Sequence, residues 1–209
     1  MKMNLPNKLT VMRLCLVPVI LIVGFLPTSI IPFHISCFIC AVLFIGTSVT
    51  DMLDGKIARR DGLITDFGKF LDPVADKFMV IGALFVLLYK FDNLRMVLIF
   101  TLIIVVFREL AVTSMRLVVS TGEGIVIAAN SLGKIKTVSQ IVAISTTFLE
   151  PVVQVVFKWI LETATGNTYT WNANIVPLTW ASIAFSLVMT VWSGINYIRS
   201  YWKYIDPEK

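Results

Sequence analysis

Asp51, Asp54, Asp72 and Asp76 are the side chains of this chain best spaced to act together. The first two open the pattern D-x-x-D-G-x-x-A-R, which ends on Gly55, Ala58 and Arg59; after eight residues Gly68, Asp72 and Asp76 follow as G-x-x-x-D-x-x-x-D. At ~100° per residue, Asp51, Asp54, Gly55, Ala58 and Arg59 fall within roughly 140° of one another on a helix. Gly68, Asp72 and Asp76, each four residues on, make one stripe. Two consecutive helices can therefore turn four carboxylates toward each other. Such a group is stable in a low-dielectric site only if protons or cations neutralise it. Oxygen donors without His or Cys select hard ions such as Mg2+ or Mn2+. Two such ions ~4 Å apart form the clamp used for displacement at phosphorus. Gly55, Ala58 and Gly68 leave room beside them for a flat or bulky group, and Arg59 offers a planar fork for phosphate oxygens.

Ordinary helix-end charges explain one aspartate, but not four in phase with small residues. Asp61 and Asp66 lie off the pattern, Asp61 in a D-G turn and Asp66 as the expected N-cap of the following helix. Gly133 and Lys134 look superficially like the end of a phosphate-binding loop, but Ala128 replaces the upstream glycine and Ile135 the Ser/Thr.

The elements that must carry these residues are membrane spans. The chain of 209 residues is 57% hydrophobic and 15% charged, against about 25% charged in soluble domains, and its mean hydropathy is +0.84. Residues 14–50 contain no Asp, Glu, Lys or Arg, enough for two spans of about 20 residues around Pro27 and Pro32. Six spans are expected, over residues 10–26, 34–59, 67–89, 96–120, 136–161 and 175–200, in a single all-α polytopic membrane domain covering 1–209. The uncharged run 78–89 is too short to cross a ~30 Å core at ~1.5 Å per residue, so the third span must reach back through Asp72 and Asp76. Arg108 and Glu109 interrupt the fourth. Ionisable groups at that depth usually face a bundle interior or a wet cavity and mark function.

An even number of spans puts both termini on one side. Lys2, Lys8, Arg59, Arg60, Lys69 and Lys134 collect there, against Lys90, Arg95 and Lys158 opposite, so the termini and the aspartates are expected in the cytoplasm. Tyr201, Trp202 and Tyr204 suit an aromatic belt at that interface. Residues 1–10 lack the apolar core and cleavage site of a secretory signal; Leu5, Leu9 and the nearby lysines suggest a short interfacial helix before the first span. The net charge of +5 fits topology and anionic membrane lipids, and no basic, aromatic-interleaved stripe points to nucleic acid. Cys37 and Cys40, with His34 nearby, are too few for a closed zinc site and read as small packing residues.

The aspartate pattern resembles the signature of the CDP-alcohol phosphotransferases at every fixed position. The resemblance implies a six-helix membrane homodimer in which Asp51, Asp54, Asp72 and Asp76 hold two divalent cations on the diphosphate of a CDP-linked lipid. It implies that Asp54, Gly55, Ala58, Arg59 and Gly68 border that CDP-diacylglycerol. Asp76 is then the general base that deprotonates the acceptor alcohol; the alkoxide attacks the phosphorus distal to cytidine, and CMP leaves. Leu5-Pro6-Asn7-Lys8-Leu9-Thr10 with Arg13, the Arg108-Glu109 pair, Arg116 and residues 129–137 resemble the bacterial branch whose acceptor is glycerol 3-phosphate. That acceptor is a dianion and needs fixed cations near the metals; Arg108, Arg116, Lys134 and Lys136 stand at or near the matching ends of spans four and five. A bacterial plasma-membrane location follows. Two competing readings are a sister transferase using an inositol phosphate, serine or phosphatidylglycerol, and a divalent-cation transporter with the aspartates as its ion site. Transporters often show broken helices and repeated halves, and neither is visible in the sequence.

Overall fold

A computed structural model describes residues 4–60, 65–122, 131–168 and 176–202. Six helices account for nearly all of them: α1 (Leu5–Phe25), α2 (Phe33–Arg60), α3 (Asp66–Lys90), α4 (Arg95–Gly122), α5 (Ser131–Thr165) and α6 (Pro177–Tyr201), with one 3-10 turn at Asp92–Leu94. There is no strand among the described residues. Five of the helices are long and apolar enough to cross a membrane. The sixth, α3, carries Asp72, Asp76 and Lys77 in its first half, yet runs unbroken to Lys90, as a span reaching back through the aspartates requires. The protein is an all-α polytopic membrane protein.

The helix ends follow from local chemistry. The Asn4 side chain accepts from the Asn7 amide at 3.1 Å, and Pro6 sits in the first turn, where no intrahelical N–H is needed. From there α1 continues without a break, so the stretch expected as a separate interfacial helix is the start of the first span. At α3 the cap is Thr65 rather than Asp66: Thr65 has extended backbone and its hydroxyl accepts from the Gly68 amide at 3.1 Å. The start of α6 is capped from another helix. Glu150 of α5, 6% exposed, accepts from the Leu178 and Thr179 amides at 3.2 and 2.8 Å. At 35 residues, α5 is about 50 Å long and exceeds the ~30 Å apolar core, consistent with charged residues toward both its ends.

The core lies among α1, α2, α3 and α5, around Val17, Ile20, Phe44, Val86, Leu87 and Phe148. Cys37 and Cys40 are buried in it, and the Cys40 thiol points to the Ile20 carbonyl at 3.8 Å. Small residues bring α1 and α3 together. A Cβ at Gly24 would overlap Val86, and one at Gly82 would meet Val17 Cγ1 at 3.0 Å. Close backbone approach at small residues is how helices pack where the surrounding lipid is as apolar as the side chains. The outward faces are apolar too; Phe70, Phe107, Leu110 and Trp192 are among the large exposed side chains.

Candidate active site

The chain reverses so that the end of α2, the start of α3, the end of α4, the start of α5 and the end of α6 share one end of the bundle. Asp51 on α2 and Asp76 on α3 meet there across a residue of α1. Arg13 is fully buried, and its Nη1 lies 2.6 Å from Asp51 Oδ1 and 2.8 Å from Asp76 Oδ1. One turn away on α3, Asp72 Oδ1 accepts from the Thr10 hydroxyl at 2.6 Å. Asn7 Oδ1 accepts from the Thr65 hydroxyl at 3.0 Å. Asn7, Thr10 and Arg13 recur every three residues, so one face of α1 forms a polar stripe against α3 that continues as the apolar Val17 and Ile20. Both aspartates keep contact with solvent, their side chains 36% and 50% exposed.

They open onto a cavity of about 670 Å3. Asp51 and Asp76 stand on one wall; Arg108 and Arg116 of α4, Lys134 of α5 and Tyr197 of α6 stand on others. Arg116 Nε donates to the Tyr197 hydroxyl at 3.4 Å, and its guanidinium lies 5.9 Å from the Tyr197 ring centroid. Arg108 donates to Glu109 Oε1 at 3.0 Å and to Ser193 Oγ at 3.2 Å. Ile45, Val49, Val138 and Val142 give the same cavity an apolar flank between α2 and α5. Carboxylates, fixed cations and apolar surface thus share one space, which suits an amphipathic substrate with an anionic head.

Several expected site residues fall elsewhere or outside the described set. Lys136 does not line the cavity; it is 4% exposed and pairs with Glu109. Gly68 is buried, and a Cβ there would meet Asn7 Oδ1 at 3.0 Å, so its small size also serves the α1–α3 contact. Gly55 is half-buried on α2. The side chains of Asp54, Ala58 and Arg59 lie outside the described residues, although their backbone belongs to α2. Arg13 and Thr10 hold the aspartates in a way that the spacing of the motif does not predict. Arg13 was detectable by the rule that singled out Arg108, a charge next to a long apolar run.

Among the described residues, no group of three or more His, Cys, Asp or Glu side chains is disposed to enclose a metal ion. The donor set nevertheless fits one. Two carboxylate oxygens already converge on a single cationic nitrogen, a third carboxylate sits one turn along, and all are hard oxygen donors.

The family model for CDP-alcohol phosphatidyltransferases matches residues 3–192, nearly the whole chain. The chain belongs to that family. Divalent-metal dependence comes with it. Proteins named CDP-diacylglycerol–glycerol-3-phosphate 3-phosphatidyltransferase are similar to this phosphatidyltransferase along most of its length. The one from Bacillus subtilis is 44% identical over 156 residues, covering 70% of this chain and 77% of its own. That from Haemophilus influenzae is 34% identical over 200 residues, covering 95% and 94%. The Escherichia coli K12 protein is 31% identical over 204 residues, covering 96% of each.

Proposed function

We infer that this phosphatidyltransferase moves a phosphatidyl group from CDP-diacylglycerol to glycerol 3-phosphate, giving phosphatidylglycerol phosphate and CMP. The observation that carries the reading is the single cavity in which Asp51 and Asp76 face Arg108, Arg116 and Lys134. The similar proteins bear the name of this reaction over 70–96% of the chain.

Asp51, Asp54, Asp72 and Asp76 are the proposed holders of two divalent cations, Mg2+ or Mn2+. When bound, these supply charge neutralisation for the donor diphosphate and for the oxygens gaining charge at phosphorus. Asp54, Gly55, Ala58, Arg59 and Gly68 border the cytidine diphosphate of the donor, and the apolar α2–α5 flank receives the start of its acyl chains. Arg108, Arg116 and Lys134 fix the phosphate of the acceptor and turn its free hydroxyl toward Asp76. Asp76 takes the hydroxyl proton. The oxygen forms a bond to the phosphorus distal to cytidine as the bridging P–O bond breaks, and CMP departs with that electron pair. Arg13 orients Asp76 by holding one of its oxygens.

The proposed orientation has both termini and this site in the cytoplasm, supported by the excess of Lys and Arg at that end, and a homodimer is proposed from the family resemblance. The deciding assay is CMP release from CDP-diacylglycerol by purified protein with Mg2+ or Mn2+. Release should require glycerol 3-phosphate and stop with chelator. Equal release with serine, an inositol phosphate or phosphatidylglycerol in its place would redirect the acceptor assignment, and full turnover in excess chelator would remove the metals.

A further inference from the structure

Arg108 is the most closely fitted of the cavity's cations. Its stem crosses α6 at Gly194, where an added Cβ would lie 3.3 Å from Arg108 Cγ. Its guanidinium donates to Ser193 on one side and Glu109 on the other. Lys136 donates to the same oxygen of Glu109, Oε1, that receives Arg108. The side chains of Arg108, Glu109 and Lys136 are 13%, 18% and 5% exposed, so the three charges interact with little solvent between them. Only Arg108 reaches the cavity.

Two cations share one carboxylate, so the group carries one net positive charge. A buried excess charge is costly unless an opposite charge answers it. Glu109 alone beside Arg108 would supply that charge itself and compete with any phosphate for the same N–H groups. With Lys136 on the same oxygen, Glu109 is already neutralised, and Arg108 keeps its positive charge for the cavity. The Arg108 Nε is buried and makes no hydrogen bond among the described residues, so the fork is held through its two terminal nitrogens.

We propose that Glu109 and Lys136 are positioning residues for the acceptor: Glu109 orients Arg108, and Lys136 cancels the Glu109 charge so that Arg108 remains free to bind the acceptor's phosphate. The proposal rests on the assignment of Arg108 to glycerol 3-phosphate. It also assigns Lys136 a role without contact to substrate, and makes this buried triad the origin of preference for a phosphorylated over a neutral alcohol.

The test is steady-state kinetics of the full-length protein in detergent, each substrate varied in turn, with melting temperature recorded for every variant. Arg108→Gln is the control; an unchanged glycerol 3-phosphate KM there refutes the acceptor assignment itself. Given a raised KM in that control, Lys136→Met should raise the acceptor KM roughly ten- to a hundredfold and leave the CDP-diacylglycerol KM nearly unchanged, because Glu109 now captures Arg108. The double variant Glu109→Gln/Lys136→Met should recover most of that loss, since the competing carboxylate is gone while Arg108 stays. A purely structural role would give a double variant no better than the single one. A direct contact between Lys136 and the acceptor would do the same. Either result overturns the proposal. Should Lys136→Met fail to fold, the double variant decides against the control: an acceptor KM about tenfold below that of Arg108→Gln supports the triad, and one equal to it refutes it.

Discussion

Arg13 does for the aspartates what dissolved cations do elsewhere: its buried guanidinium stands between two carboxylates and offsets their repulsion. Removing it leaves Asp51 and Asp76 repelling each other at the site mouth. Because both are partly exposed, the loss is well below that of a fully buried pair, roughly 1–2 kcal/mol. Arg13→Met is therefore expected to melt earlier than the parent in chelator, and Mg2+ should raise its melting temperature more than the parent's. Equal shifts in both proteins would show that Arg13 and the metal do not answer the same charges. Asp76 is proposed for a different task, as the general base. On that proposal Asp76→Asn keeps the shape and removes the base, a change that typically costs ~10²–10⁴-fold in rate. The expected signature is a lower kcat with both substrates still bound; near-normal turnover alongside an inactive Asp51→Asn would move the base to another residue. The aspartates were legible because their spacing is periodic and their type is rare in a span. Arg13 shows in the sequence only as a charge beside a long apolar run, and its partners, like the role of Thr10, do not show, because a single sequence does not reveal which face of α1 meets α3.

At the scale of helices, hydropathy and charge located all six spans, and the short uncharged run after Asp76 correctly required α3 to start well before it. What local reading could not supply was any cap provided from a distance. Thr65 and Asp66 are both good caps by type, and the choice between them depends on which residue keeps an extended backbone before the helix, here Thr65. Glu150 is invisible as a cap altogether, since it serves amides 28 and 29 residues further along. It is a carboxylate inside a span that answers the positive end of α6 and two N–H groups at once. Glu150→Gln keeps one acceptor and loses the charge, so it should lower stability by roughly 1–3 kcal/mol. The check is melting in detergent beside kinetics of the surviving protein, with kcat and both KM values unchanged, because Glu150 lies at the opposite end of the bundle from the cavity. A kinetic defect without a melting shift would mean that α6 transmits its N-terminal packing to Ser193 and Tyr197. The glycines at 24 and 82 belong to the same scale: they set how closely α1 can carry Arg13 to α3.

For the molecule as a whole, the chemistry is confined to one end. Asp51, Asp72, Asp76, Arg108, Arg116 and Lys134 all lie where α2, α4 and α6 finish and α3 and α5 begin, while the other end holds Lys90, Asp92, Arg95 and Lys158. Under the proposed reaction a nucleotide-linked lipid and a soluble phosphate ester meet at one membrane face, so the orientation of the bundle is part of the function. On the proposed orientation, drawn from the excess of basic residues, the aspartate end faces the cytoplasm. Trp202, 66% exposed just beyond α6, marks that end, and Asn167, exposed just beyond α5, marks the other. In a background with Cys15, Cys37 and Cys40 replaced by Ala or Ser, single cysteines at these two positions report sidedness. An impermeant thiol reagent applied to intact cells should label Asn167→Cys and leave Trp202→Cys untouched until the membrane is opened. The opposite pattern would place the cavity outside, away from any cytoplasmic supply of glycerol 3-phosphate, and the acceptor would have to be sought among lipids or extracellular alcohols. Equal labelling of both positions in intact cells would mean that the bundle inserts in two orientations, and only the fraction with its aspartates inward would count as enzyme in the assay of CMP release.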